Sequence, residues 1–183
     1  VTTDVVMAGF GGQGILMIGN LLALAAMEEG RHVTYFPSYG VEMRGGTASC
    51  TVIISDEEIG SPVVARPRGC VVMNGPSLQK YLPVLQPGAD LVINSSLVDP
   101  AAVTRDDVRL VAVPAGEIAR KVIGSAQLAA MVALGAYVGC TGVVSLRTLY
   151  ACLPKVVSRR YERYIPLNAD ALKEGADFAR NHA

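Results

Sequence analysis

Residues 4–30 read DVVMAGFGGQGILMIGNLLALAAMEEG, and no other stretch restricts the fold as much. A short apolar strand, Val5 to Met7, ends at Gly9. Gly9, Gly11 and Gly14 then satisfy G-x-G-x-x-G, and a helix pattern runs from about Gln13 to Glu29 before Gly30 stops it. The helix is apolar nearly all round, so both its sides should be covered by other layers. A strand, a glycine turn and a buried helix in that order are the opening unit of an α/β domain.

The turn has its own chemistry. Gly11 and Gly12 let the backbone come close to a ligand, and the N–H groups at Gln13 and Gly14, opening the helix, favour an anion. An NAD site would also need an acidic residue at the end of the next strand, about 20 residues on, to bond the ribose. That strand, HVTYF at 32–36, continues into PSYG without Asp or Glu, while Glu28 and Glu29 precede it. The fingerprint is half present, so a nicotinamide cofactor is not expected. A purely structural turn, or a site for a phosphate or other polar ligand, stays open.

The rest of the chain continues the alternation. TASCTVIISD (47–56) has a period of two, with Ala48, Cys50, Val52 and Ile54 on one face and Ser49, Thr51 and Ser55 on the other, Ile53 being the exception. One face should therefore be less well covered, as at a sheet edge or in a hairpin. GCVVMNG (69–75), DLVINSS (90–96) and VRLVAVP (108–114) are further short strands, the first two ending in Asn. Helices are expected over Pro76–Leu85, Ala115–Ile123, Leu128 to about Cys140, Ser145–Leu153 with Ser145 as N-cap, and Asn168–Ala179 with Asn168 as N-cap. In MVALGA (131–136) the small residues suit close helix packing. The expected fold is one α/β, Rossmann-like domain over residues 1–183, with a mostly parallel sheet and helices on both faces.

Composition narrows the function. With 16 basic and 16 acidic residues the formal net charge is zero, which gives no electrostatic reason to expect nucleic acid or an anionic membrane as partner. The four cysteines, Cys50, Cys70, Cys140 and Cys152, are scattered and form no C-x-x-C. They read as small buried hydrophobes, not ligands of a cluster or metal. His32 and His182, the only histidines, are too far apart in sequence to suggest a site. No secretory leader is visible, and the apolar run Ile15–Met27, interrupted by Asn20, is too short to span a bilayer. A cytoplasmic protein is expected.

FPSYGVEMRGGTASC (36–50) is the second dense stretch. It joins two strands yet carries Ser38, Tyr39, Glu42, Arg44 and Gly45, more chemistry than a bare connection needs. It should leave its strand at the carboxyl edge of the sheet, as the glycine turn does, so the two should meet where α/β sheets bind ligands. Arg44 is a candidate fork for carboxylate or phosphate, and Tyr39 an aromatic contact. Asn74 and Ser77 should lie on the same edge, where capping explains them equally well. ARPRG (65–69) and SRRYERY (158–164) are small basic clusters, read first as solvated faces.

Together, GFGGQGILMIGNLLALAAMEEG, SYGVEMRGGTASCTVIIS, IGSPVV and MNGPSLQKYLP resemble the gamma subunit of 2-oxoacid:ferredoxin oxidoreductases. NSSLV, MVALGA and LNADALKEG extend the likeness over essentially the whole chain. The single Arg in SYG-x-EMRGGTA looks more like the 2-oxoglutarate type than the pyruvate and branched-chain types, which tend toward a double Arg. Val41 stands where the family often has Pro. The resemblance implies a non-catalytic subunit. Its complex would use thiamine diphosphate, Mg, iron–sulfur clusters and coenzyme A on other chains, with alpha and beta partners, a delta partner left open, and ferredoxin as acceptor. No metal site or catalytic residue is expected on this chain. Gly11, Gly12, Gln13, Gly14, Ser38, Tyr39, Glu42, Arg44, Gly45 and Asn74 are the expected CoA-facing or subunit-contact positions. A stand-alone CoA- or nucleotide-binding module is the alternative.

Overall fold

The computed structural model describes residues 1–39 and 47–182. Six strands form one sheet in the order β2-β3-β1-β4-β5-β6: β1 (Thr2–Phe10), β2 (His32–Tyr39), β3 (Thr47–Ser55), β4 (Gly69–Val72), β5 (Asp90–Asn94) and β6 (Arg109–Val113). β1, β4, β5 and β6 pair in parallel, while β3 is antiparallel to both β1 and β2. Two reversals leave β2 running in the direction of β1, so the carboxyl ends of five strands share one edge.

Side-chain alternation divides the core in two. Val5, Met7, Cys50, Val52, Ile54, Val71, Val92 and Val111 face a large layer built by α1 (Ile15–Glu28), α4 (Ala129–Thr141), α5 (Leu146–Val156) and α6 (Ile165–His182). Cys70, Val72, Leu91 and Ile93 face a smaller layer made by α2 (Gly75–Tyr81) and the 3-10 turn Leu82–Val84. The remaining helix, α3 (Ala115–Ile118), follows β6.

Within the large layer, α4 is buried on nearly every side from Ala130 to Val138. It lies against α6 at backbone distance, because Gly135 and Gly139 meet Leu172 and Ala176, and Gly175 meets Val132 and Ala136. The small residues of MVALGA therefore do what small residues at helix crossings do: they let the axes approach. Gly19 of α1 similarly makes room for Cys50 and Tyr35, whose hydroxyl donates to the Leu16 carbonyl at 2.9 Å.

Several expected boundaries shift for local reasons. Pro37, Ser38 and Tyr39 belong to β2, not to the connection, and β3 is an internal strand of a hairpin whose edge partner is β2. The Pro76 helix ends at Tyr81 and tightens into the 3-10 turn at Pro83. The α3 helix widens into a π turn, Ala119–Ile123, and Gly124 closes it at φ 87°. The largest correction concerns Asn168. It does not cap α6, which begins at Ile165 with Pro166 in its first turn, where a missing N–H is harmless. Asn168 instead donates from Nδ2 to the Tyr164 carbonyl at 2.9 Å inside the helix. Ser145 is the N-cap expected: its hydroxyl accepts from Thr148 N–H at 3.1 Å. Among the described residues, no helix is long and apolar enough to cross a membrane.

Candidate functional site at the carboxyl edge of the sheet

The glycine turn is held from within. A Cβ on Gly9 would lie 2.5 Å from Gln13 Oε1, 2.9 Å from Ile15 Cδ1 and 3.0 Å from Met73 Cβ, so the first glycine is required by packing. Gln13 folds back over the turn. Its Oε1 accepts from the Phe10 N–H at 2.6 Å, and its own N–H donates to the Phe10 carbonyl at 3.2 Å. The Gln13 amide, expected to face an anion, is therefore engaged inside the turn, and the side chain acts as a brace.

The neighbouring glycines differ from Gly9. Gly12 is exposed at φ 88° with open space where a Cβ would stand, and Gly11 is half-buried beside it. Gly14, at φ 81°, is the N-cap of α1, and no side chain caps that terminus or places an acid in its first turn. A left-handed glycine before an uncapped helix leaves the first-turn amides to outside partners.

Asn74 stands next to this turn. Met73 N–H donates to the Ala8 carbonyl at 2.9 Å, which carries the parallel β1–β4 pairing up to the Gly9 corner. Asn74 is only 1% exposed, and its Oδ1 caps α2 by accepting from Ser77 N–H at 2.9 Å. Its Nδ2 and the Ser77 hydroxyl are buried and have no partner among the described residues.

One strand further on, Asn94 repeats the arrangement. Buried to the same extent, it accepts from Ser96 N–H at 3.2 Å and Gly116 N–H at 3.3 Å, and the Ser96 hydroxyl accepts from Glu117 N–H at 3.0 Å. Asn94 and Ser96 were not among the expected site residues. Their signal was the repeated strand-then-Asn pattern in VVMNG and LVINSS.

The expected site residues thus separate. The edge brings together Gly11, Gly12, Gln13, Gly14 and Asn74. Ser38 lies on β2, with β3 between it and β1; its register partner is Ser49, and Tyr39 pairs with Ala48. Phe10 is in register with Thr47, so the base of the β2–β3 hairpin does reach the glycine turn. Glu42, Arg44 and Gly45 lie outside the described residues. The same topology separates the turn from a nicotinamide site: the strand after α1 is not beside β1, so its end is one strand too far to meet a ribose held there.

The chemistry at this edge is neutral and polar. Among the described residues no group of three or more His, Cys, Asp and Glu is arranged to hold a metal ion. Cys50 and Cys70 are sealed in the core, and burial pushes their thiols up to about 12. Cys140, half-buried, is pushed up to about 11, chiefly by burial and then by the charge of Asp90. These positions do not fit an iron–sulfur cluster, which needs thiolates gathered around one centre. A cavity of about 470 Å³ lies at the opposite, amino end of the sheet, lined by Asp4, Ser55, Glu58, Arg66 and Arg68 among others. Burial raises the Asp4 carboxyl there, while the Arg68 N–H bond at 2.8 Å and the Arg68 charge oppose the rise.

A profile for pyruvate ferredoxin/flavodoxin oxidoreductase matches residues 4–178. The chain belongs to that family. Subunit VorA of ketoisovalerate oxidoreductase from Methanothermobacter thermautotrophicus is 41% identical over 178 residues, which is 96% of this chain and 36% of VorA. Subunit KorC of 2-oxoglutarate synthase from the same organism is 35% identical over 152 residues, covering 80% of each chain. Among solved structures, the gamma subunit of a keto/oxoacid ferredoxin oxidoreductase from Geobacter sulfurreducens superposes with a TM-score of 0.83 at 29% identity, over 97% of this chain and 98% of that one. The 2-oxoglutarate:ferredoxin oxidoreductase of Magnetococcus marinus, solved with 2-oxoglutarate, coenzyme A and succinyl-CoA, gives 0.88 at 25% identity, over all of this chain and 32% of that one. The chain thus has the gamma-subunit fold of its family, and it spans about a third of the length of the VorA relatives it matches.

Proposed function

We propose that this chain is the gamma component of a thiamine diphosphate-dependent 2-oxoacid:ferredoxin oxidoreductase. The complex would decarboxylate a 2-oxoacid oxidatively, pass two electrons to ferredoxin and release an acyl-CoA. The observation that carries the reading is the family match over residues 4–178, together with whole-length similarity to free-standing gamma subunits. In this reading the chain contributes no catalytic residue of its own, and the chemistry belongs to the partner chains.

The carboxyl edge of the sheet is proposed to face coenzyme A or the partner subunits that hold it. The uncapped start of α1, the open space at Gly12 and the unpartnered Asn74 Nδ2 and Ser77 hydroxyl support that orientation. Arg44 and Glu42, Tyr39 and Ser38, and Gly45 belong to the same proposal from their place in the hairpin sequence. 2-Oxoglutarate is the first substrate to assay, on the single Arg of EMRGG, and ketoisovalerate the second, since named relatives act on each.

The test is the assembled complex, purified with its cluster-bearing and thiamine-bearing chains and assayed for CoA-dependent reduction of ferredoxin with each 2-oxoacid. Arg44→Ala and Gly12→Asp are expected to weaken CoA binding measured by calorimetry. Unchanged CoA affinity and turnover in both would remove the CoA-facing assignment. A solitary chain that copurifies with no such partner would remove the subunit reading.

A further inference from the structure

The smaller layer covers only half of its side of the sheet. By register, Thr34, Phe36 and Ser38 of β2 share that face with Ser49, Thr51 and Ile53 of β3, and with Val6, Ala8 and Phe10 of β1. Over β4 and β5 the face is closed by Leu78, Leu82 and Leu85. Over β2 and β3 no described helix closes it, since α1 packs on these strands from the other side. Phe36 is 53% exposed and Phe10 39%, with Thr34, Ser49 and Thr51 half-buried. The cavity at the amino end takes in Thr2, Asp4, Ile53 and Ser55 of this face, so the open part is its carboxyl half.

The described residues of the open part carry no Asp, Glu, Lys or Arg: aromatic rings and hydroxyls, with His32 at the amino end, in a chain that is 17% charged. Depletion of charge with retention of aromatics is the composition of an interface core, not of a solvated surface. The free edge beside it is blunted, because Pro37 sits in edge strand β2 and cannot donate to an added strand. A partner is therefore received on the face. Chain lengths among the relatives identify which partner. The domain makes up almost all of the Geobacter gamma chain, yet 36% of VorA and 32% of the Magnetococcus chain, where further polypeptide is covalently joined to it. A domain found both free and fused needs a surface on which the joined polypeptide stays seated.

We propose that the open β2–β3 face, centred on Phe36 and Thr51, seats the companion polypeptide that is continuous with this domain in the longer relatives, through an uncharged partner surface. The proposal rests on the oxidoreductase reading above. Its test is the complex formed by coexpression with the companion subunits. A benzoylphenylalanine photo-crosslinker at position 36 is expected to capture the companion polypeptide, while one at Tyr161, in the exposed turn Arg159–Tyr164, captures none of it. Phe36→Glu and Thr51→Lys should keep the circular dichroism of the wild-type chain and weaken assembly at least tenfold. Wild-type affinity in both variants, or a crosslink joining two copies of this chain, overturns the proposal. Failure of the wild-type chain to assemble with any thiamine-bearing subunit overturns the oxidoreductase reading itself, and this inference with it.

Discussion

Replacing Gly175 by Ala tests the closest contact in the fold. A Cβ there would stand 2.8 Å from the Ala136 nitrogen and the Val132 carbonyl carbon, and nearer still to the Val132 oxygen. All three are backbone atoms of α4, so no rotamer change relieves the clash. Non-bonded carbon contacts settle at roughly 3.5–4.0 Å, so α4 and α6 would have to separate by about 1 Å along the crossing. Overpacking of this kind costs about 1–3 kcal/mol, and a clash against rigid helix backbone belongs at the upper end. Ala is the better helix former by about 1 kcal/mol, which leaves a net loss of about 2 kcal/mol. For a domain of this size that lowers Tm by about 4–8 °C. The assay is thermal and urea unfolding of Gly175→Ala against wild type, with Gly60→Ala as control, since a Cβ at Gly60 meets nothing within 4 Å and its φ is not left-handed. A Gly175→Ala protein as stable as wild type would refute the account, because α4 and α6 would then not be locked at backbone distance.

Three further outcomes are expected. Asn74→Ala should lose about 1 kcal/mol by removing the α2 cap, read as a lower urea midpoint, while Asn74→Ser keeps a capping oxygen without burying a charge and loses less. Glu29 is pushed up by burial, but bonds from Ser145 and Thr148 and the Arg31 charge outweigh that and hold its carboxyl below the ordinary 4.5. A depressed carboxyl contributes stability above its unfolded value and loses it as pH falls through the folded one. The stability gap between wild type and Glu29→Gln should therefore be widest above about pH 5 and close on acidification, followed by urea unfolding at stepped pH. Thiol titration of the native chain near pH 8 should find Cys140 reacting first, though slowly, and Cys50 and Cys70 only on unfolding.

Short-range signals were legible wherever one residue type does one local job. Gly30 ends α1 at φ 79°, Ser145 caps α5, Asn74 caps α2, and the period of two in TASCTVIIS marks a face poorly covered at Thr47, Ser49 and Thr51, though buried again at Ile53 and Ser55. The small residues of MVALGA announced a close helix contact without naming its partner. Asn168 shows the limit. As a capping residue type ahead of an amphipathic run it reads as a helix start, yet the 3-10 turn Arg159–Tyr164 feeds straight into α6 and places it inside the helix. Gln13 shows another: its place at the helix opening suits an anion, yet its side chain and N–H both close the turn on Phe10.

The sequence by itself determined that residues 4–30 make a strand, a glycine turn and a buried helix, that no acid follows for a ribose, and which family the whole chain resembles. These properties reside in neighbouring residues, where backbone freedom, capping and periodicity act over one or two turns. The tertiary structure alone decided that β3 enters between β1 and β2, which moves β2 one strand away from the glycine turn and leaves Phe36 on an open face. It also decided that Gly175 of α6 meets Val132 of α4. Strand order and helix crossing depend on how apolar faces from distant segments can be covered together, and no local pattern encodes that choice.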